Sequence, residues 1–255
     1  MNLLFIGDVV GQSGCDFLES RMYKLKREYD IDVTVVNGEN SAQGNGITPQ
    51  SYRQLLNMGA DVVTTGNHSF RRREAEELYD TNEQLLRPAN YPEGVMGHGV
   101  SYIDMCPYKI AVVNLMGTMY MEAVENPFNY VDKLLESIDT PNIIVDFHAE
   151  ATSEKKAMGF YLQKRCTAVL GTHTHVQTAD ETILSGHTAY ITDVGMTGPE
   201  LSVLGVDSDI VINKFKYRTP VRFSESTNDC FINGVVVKFD EKSGKATNIQ
   251  RVIKR

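Results

Sequence analysis

The chain has 255 residues, 42% of them hydrophobic and 23% charged, with a formal net charge of −8. That length buries most of its apolar surface without disulfides, and the composition excludes a disordered or fibrous chain. The acidic balance argues against a duplex-DNA binder, and no apolar run reaches the roughly 18 to 20 residues of a membrane span.

The first apolar run, Leu3–Ile6, predicts a strand ending at Gly7-Asp8. This opening has no basic segment or small-residue cleavage site, so a cytoplasmic protein is expected. A helix is predicted over 16–29, with Phe17, Met22, Leu25 and Tyr29 spaced for one face. Val33–Val36 predicts the next strand and leads into Asn37-Gly38-Glu39-Asn40, after which Thr48-Pro49 supplies a cap and a first-turn proline. Asp61–Thr65 predicts a third strand, followed by Gly66-Asn67-His68 and a charged helix over 73–86. The scheme then repeats. Ile110–Leu115 reads as a strand and Asn126-Pro127 as a helix start; Ile143–Phe147 leads to His148 and a helix from Thr152 or Ser153. Ala168–Gly171 leads to Thr172-His173-Thr174-His175, and Ala189–Thr192 to Asp193. Residues 193–227 predict a partly irregular lobe over one end of the sheet. Alternation over Phe231–Phe239 and a Gly-containing turn at 240–245 predict an antiparallel hairpin with 247–253.

Short β-branched runs alternating with helices predict a largely parallel α/β sheet covered on both faces, with the hairpin as a second sheet or an antiparallel edge. With no internal repeat or Gly/Pro/Ser-rich linker, the expectation is one domain over 1–255. The cysteines, Cys15, Cys106, Cys166 and Cys230, are scattered and predict neither a metal knuckle nor a disulfide framework.

Asp8, Glu39, Asn40, Asn67, His68, His148, His173 and His175 each follow an apolar run. Carboxyl ends of strands in an open α/β sheet converge on one ligand-binding edge, so these side chains are expected in one crevice. Imidazole, carboxylate and amide donors without thiolate suit Mn, Fe or Zn. Leaving out His68, the donors are too many for one tetrahedral ion and match two ions sharing a carboxylate. The residual positive charge would bind a hydroxide and a phosphoryl group. Asn37-Gly38 reads as a turn, and bland readings exist for single members: Asp8 as a helix cap, Glu39 and Asn40 as turn residues alone, His148 as a satisfied core histidine. The company each keeps favours the cluster. Glu150 and Asp193 read either as partners that fix a histidine tautomer or as ordinary surface carboxylates. His98 and His187 read as loop residues, and Arg71-Arg72-Arg73 as a solvated face or a phosphate-steering element.

Gly7-Asp8, Gly38-Glu39-Asn40, Gly66-Asn67-His68, His148 and Gly171–His175 follow the motif order of the calcineurin-like metallophosphoesterases, which the chain resembles. The strings over 37–40, 86–92, 146–155 and 190–199 are similar to the YmdB-type branch, over about residues 1–253. This resemblance implies a metallophosphoesterase-like layered sandwich of mostly parallel sheet plus antiparallel C-terminal strands, flanked by helices. It implies a di-metal phosphodiesterase, often iron-loaded, acting on 2′,3′-cyclic nucleotides or RNA ends through a metal-bound hydroxide. Carried over, Asp8, Glu39, Asn40 and His175 would hold the first ion; Glu39, Asn67, His148 and His173 would hold the second. His68 matches the proton donor. Val10 stands where many of these enzymes have a histidine, and Asn40 compensates, as in the branch. Ser69-Phe70-Arg71 stands where the branch has an aromatic and an acidic residue, which bears on the substrate rim. A phosphomonoesterase and a nucleotide-sensing regulator with little turnover are the rival readings, and a homo-oligomer is compatible with all of them.

Overall fold

The computed structural model describes residues 1–255. The first half contains β1 (Asn2–Ile6), β2 (Asp8–Val9), α1 (Gly11–Glu28), β3 (Val33–Asn37), α2 (Pro49–Asn57), β4 (Val62–Thr64), α3 (Glu76–Thr81), β5 (Leu85–Leu86), β6 (Val100–Asp104) and β7 (Lys109–Met116). The second half contains α4 (Pro127–Glu136), β8 (Ile143–His148), α5 (Thr152–Leu162), β9 (Ala168–Thr172), β10 (Thr182–Leu184), β11 (Thr188–Ile191), β12 (Met196–Pro199), α6 (Ser208–Tyr217), β13 (Cys230–Asp240) and β14 (Lys245–Lys254).

The strands divide into an eight-stranded sheet, β2-β12-β13-β1-β3-β4-β5 with β14 beside β13, and a six-stranded sheet, β10-β11-β9-β8-β7-β6. Parallel pairing joins β1, β3, β4 and β5 in the first sheet, and β7, β8, β9 and β11 in the second. The C-terminal hairpin is no separate sheet: β13 pairs antiparallel with β1, and β14 forms the edge. The central strands β3, β4, β8 and β9 are wholly buried because both of their faces are covered, whereas the edge strands β6, β10 and β14 are partly exposed. Leu3, Phe5, Val35 and Val62 of the first sheet pack against Ile110, Val112, Ile144 and Leu170 of the second in the layer between them. The outer face of the first sheet packs on α1 and α2 through Leu18, Met22, Leu25 and Leu55; that of the second packs on α4 and α5 through Val131, Met158 and Leu162. Two sheets inside two helical layers is the sandwich expected, though the single sheet inferred from alternation alone is in fact two.

Local chemistry explains most boundaries. Thr48 accepts from the Ser51 amide at 3.1 Å while the Ser51 hydroxyl accepts from the Thr48 amide at 3.0 Å, a capping box that starts α2. Asn126 caps α4 through its side-chain oxygen, which accepts from the Phe128 amide at 3.0 Å. Two boundaries differ from expectation. α1 begins at Gly11, where positive-φ glycine lets the chain turn straight out of β2. The helix expected over 73–86 is a 3-10 turn at Arg73–Ala75, the short α3, and then β5, whose Leu85 and Leu86 pair with β4. Pairing and full burial of these two leucines override their helical propensity. The 193–227 segment forms the lobe expected, with only β12 and α6 as regular elements.

Candidate functional site

All eight singled-out side chains come together, and they do so across the seam between the sheets. The first sheet delivers Asp8, Glu39, Asn40, Asn67 and His68 from β2 and from the ends of β3 and β4. The second delivers His148 as the last residue of β8, and His173 and His175 just past β9. Registration between the layers is fixed below the site by Asp146, a carboxylate following the apolar run Ile143–Val145 of β8. It accepts from Asn37 Nδ2 at 3.0 Å and Thr64 Oγ1 at 2.5 Å in the opposite sheet, and from Thr172 Oγ1 at 2.7 Å beside it. Burial pushes the Asp146 carboxyl up to about 6 against the pull of His148 and these hydroxyls.

The cluster is tight. Glu39, His148 and His173 offer donor atoms all within 4.8 Å of one another. Around His148 Nε2 stand Asn67 Oδ1 at 3.0 Å, His173 Nδ1 at 3.0 Å and Glu39 Oε2 at 3.2 Å. Glu39 Oε1 faces Asn40 Nδ2 at 3.0 Å and His68 Nδ1 at 3.1 Å. Asn40 Nδ2 reaches His175 Nε2 at 3.2 Å, and that nitrogen lies 3.8 Å from Asp8 Oδ1. Gly66 makes the packing possible, since a Cβ there would overlap the His148 ring and the Glu39 carboxylate.

Ring tautomers follow from the outer contacts. Thr172 Oγ1 spends its proton on Asp146, so it accepts from His148 Nδ1–H at 3.0 Å and leaves His148 Nε2 facing the cluster. Glu150 Oε2, 3.1 Å from His173 Nε2, takes that N–H and leaves His173 Nδ1 facing inward. Glu150 is thus the tautomer-fixing partner expected. Asp193 acts differently, on the backbone. Its Oδ2 accepts from the Thr174 amide at 3.0 Å and hydroxyl at 2.7 Å, and its Oδ1 from the Gly195 amide at 2.8 Å. Thr174 separates His173 at φ 102° from His175 at φ 65°, a strained pair that needs such bracing. Lys155 Nζ, 1% exposed, donates to Asp193 Oδ2 at 2.7 Å and to the Thr172 carbonyl at 3.1 Å.

Electrostatics mark the cluster as a place prepared for positive charge. Burial raises Asp8 to about 7. Burial opposes the charged form of Glu39, yet His148 and His68 hold its carboxyl well below the usual range. His148 would be pushed down by burial, but Glu39 beside it lifts it to about 9. Burial and the His148 charge push His173 down to about 3. Asp8 Oδ1 is buried with no hydrogen-bond partner, and a lone carboxylate oxygen in that position is costly unless a cation meets it. His175 Nε2 at 3.8 Å from this orphan and the converging Glu39, His148 and His173 donors make an oxygen and imidazole nitrogen set that fits first-row divalent ions.

His98 and His187 stay outside the cluster: His98 bridges Leu86, and His187 turns the β10–β11 hairpin. The three arginines do not form a helix face. Arg72 Nε donates to the Asn45 carbonyl at 2.9 Å and a terminal nitrogen to the Gln43 carbonyl, bracing the loop over 42–46. Thr172, Lys155 and Asn45 were not singled out by sequence reasoning. Lys155 carried one signal: a cation in a helix that directly follows the His148 motif.

A family model described as YmdB-like protein matches residues 4–252. The chain is 46% identical over 255 residues to a Bacillus subtilis protein named 2′,3′-cyclic-nucleotide 2′-phosphodiesterase, covering 99% of this chain and 97% of that one. Its fold superposes on a hypothetical protein from Thermus thermophilus with a TM-score of 0.94 at 36% identity, covering 99% of this chain and 98% of that one. It superposes on a Mycoplasma pneumoniae protein described as a novel phosphatase with a TM-score of 0.95 at 32% identity, covering 99% and 92%.

Proposed function

Because the chain belongs to the YmdB-like family, we propose that it is a metal-dependent phosphodiesterase hydrolysing 2′,3′-cyclic nucleotides or related RNA ends in the cytoplasm. Asp8, Glu39, Asn40 and His175 would hold one ion, and Glu39, Asn67, His148 and His173 a second, with iron the preferred metal and manganese or zinc able to substitute. Two such ions neutralise phosphoryl charge and lower the pKa of water. The observation that carries this reading is the convergence of Glu39, His148 and His173 donors within 4.8 Å, in a cluster that also holds the partnerless, buried Asp8 Oδ1.

The protein's own side chains orient and supply protons. His68 has Nδ1 held by Glu39 Oε1 at 3.1 Å and Asn40 Oδ1 at 3.0 Å. Its Nε2 is therefore the outward end, with Asn45 Nδ2 its neighbour at 3.5 Å. From Nε2 a proton passes to the ribose oxygen as its bond to phosphorus breaks and a water oxygen adds. Only about a quarter of this ring is exposed, which keeps bulk water from competing for the proton.

The test is elemental analysis of freshly purified protein together with hydrolysis of 2′,3′-cyclic AMP and of nucleoside monophosphates. About two metals per chain and preference for the cyclic diester are expected; no metal, or monoester preference, overturns the reading. His68→Ala lowers kcat about 10²- to 10⁴-fold at unchanged metal content. Loss of metal in that variant would make His68 a ligand instead of the proton donor.

A further inference from the structure

A cavity of about 770 Å³ opens directly beside the cluster, with Asn40 and His175 among its walls. That volume lies within the range of small-molecule sites. Asn45 also lines it, and Asn45 Nδ2 is 3.5 Å from His68 Nε2. Through Asn45 the His68 Nε2 side of the cluster borders the cavity, so a group attached to an oxygen that His68 protonates would extend into it.

The walls are cationic in a chain of net charge −8. Arg71, Arg72 and Arg222 line them, and Arg72 is committed to two backbone carbonyls. The Arg71 and Arg222 guanidiniums make no hydrogen bond or ion pair within the protein and are exposed. Glu225, the acidic wall residue, forms no ion pair with them. Its carboxylate accepts from the Ser13 amide at 3.2 Å and from the Ser13 hydroxyl, serving α1 as the cap that Val10 cannot provide. Phe223 completes the wall with 46% of its surface exposed, backed by the Lys214 ammonium 4.4 Å from the ring centroid. A large exposed aromatic next to free guanidiniums is what a stacked base and a phosphate require.

We propose that this cavity is a nucleotide subsite in which a base stacks on Phe223 while Arg71 and Arg222 hold a second phosphate, beyond the one at the cluster. The substrate class it fits carries a phosphate one nucleoside away from a 2′,3′-cyclic end. A free cyclic mononucleotide has one phosphate, which the cluster takes, and would leave both guanidiniums without a counter-charge. An internucleotide phosphate and a 5′-terminal phosphate both supply the required group. The proposal rests on the phosphodiesterase reading for its orientation.

The experiment compares kcat/KM for 2′,3′-cyclic AMP, its 5′-phosphorylated form, and the dinucleotide ApA ending in a 2′,3′-cyclic phosphate. At least a tenfold advantage for one or both of the latter is expected, and the larger gain identifies the source of the phosphate. Arg71→Ala/Arg222→Ala should reduce that advantage to under threefold, and Phe223→Ala should raise KM for the dinucleotide. Equal kcat/KM across the three substrates, or an advantage that survives the double variant, overturns the subsite. Equilibrium binding of fluorescently labelled 3′-phosphorylated ApA and 3′-AMP, which need no turnover, is measured in parallel. If no substrate is hydrolysed but the dinucleotide binds at least tenfold tighter through Arg71 and Arg222, the phosphodiesterase reading fails and the subsite stands. Equal binding of both probes overturns the subsite by itself.

Discussion

Replacing Lys155 with methionine tests how the paired histidines are held. Lys155 and Asp193 are both buried, 1% and 0% exposed at the side chain, and 2.7 Å apart. Methionine keeps most of the lysine stem volume but leaves the Asp193 carboxylate uncompensated, and breaking such a pair from one side costs about 3–5 kcal/mol. With an m-value of about 2–3 kcal/mol/M, the urea midpoint falls by roughly 1–2.5 M. Asp193→Asn should also destabilise, because it strands the ammonium. In the double variant neither charge is left alone, so its cost falls short of the sum by about 1–3 kcal/mol. The loop adds a second consequence. His173 and His175 hold left-handed backbone angles that cost on the order of 1–3 kcal/mol each, and Asp193 restrains the intervening Thr174. Metal per chain should therefore drop in Lys155→Met even at temperatures where the protein remains folded. Urea melts of the four proteins, with elemental analysis of each, measure both effects. A midpoint within about 0.3 M of wild type, or strictly additive losses, would refute the reasoning.

Gly66→Ala should abolish metal retention and cut activity by more than about 100-fold, with about 1–3 kcal/mol of overpacking cost, because the new methyl meets His148 and Glu39. Circular dichroism unchanged alongside full metal content would contradict this. Asp180 presents a pH signature away from the cluster. Burial opposes its charge, but bonds from the Thr192 and Thr178 hydroxyls and from Lys156 hold its carboxyl below the ordinary 3.8. A depressed folded-state value stabilises above the unfolded pKa and is lost as pH falls. Asp180→Asn should thus cost about 1–2 kcal/mol at pH 7, and the gap to wild type should narrow below pH of about 4. A gap constant from pH 7 to 3 would count against it.

The sequence by itself determined the strands and the chemistry at their ends. Continuous β-branched runs such as Val33–Val36 and Ile143–Phe147 can be satisfied only by burial on both faces, and the polar residues following each must then collect where strands end. Caps at Thr48 and Asn126 were equally legible, since capping is decided within a few residues. Periodicity says nothing about which strands share a sheet, so the division into two layers became visible only in the fold. The same holds for β5, where two leucines that read as the end of a helix are taken by β4. Long-range partnerships account for the rest: Lys155 meets Asp193 across 38 residues, Glu225 caps a helix 212 residues away, and Arg222 and Phe223 face a cavity reaching Asn40. Propensity and spacing are local properties of a chain. Which buried charge finds its counter-charge, and which arginine is left free, depends on packing that only the folded molecule decides.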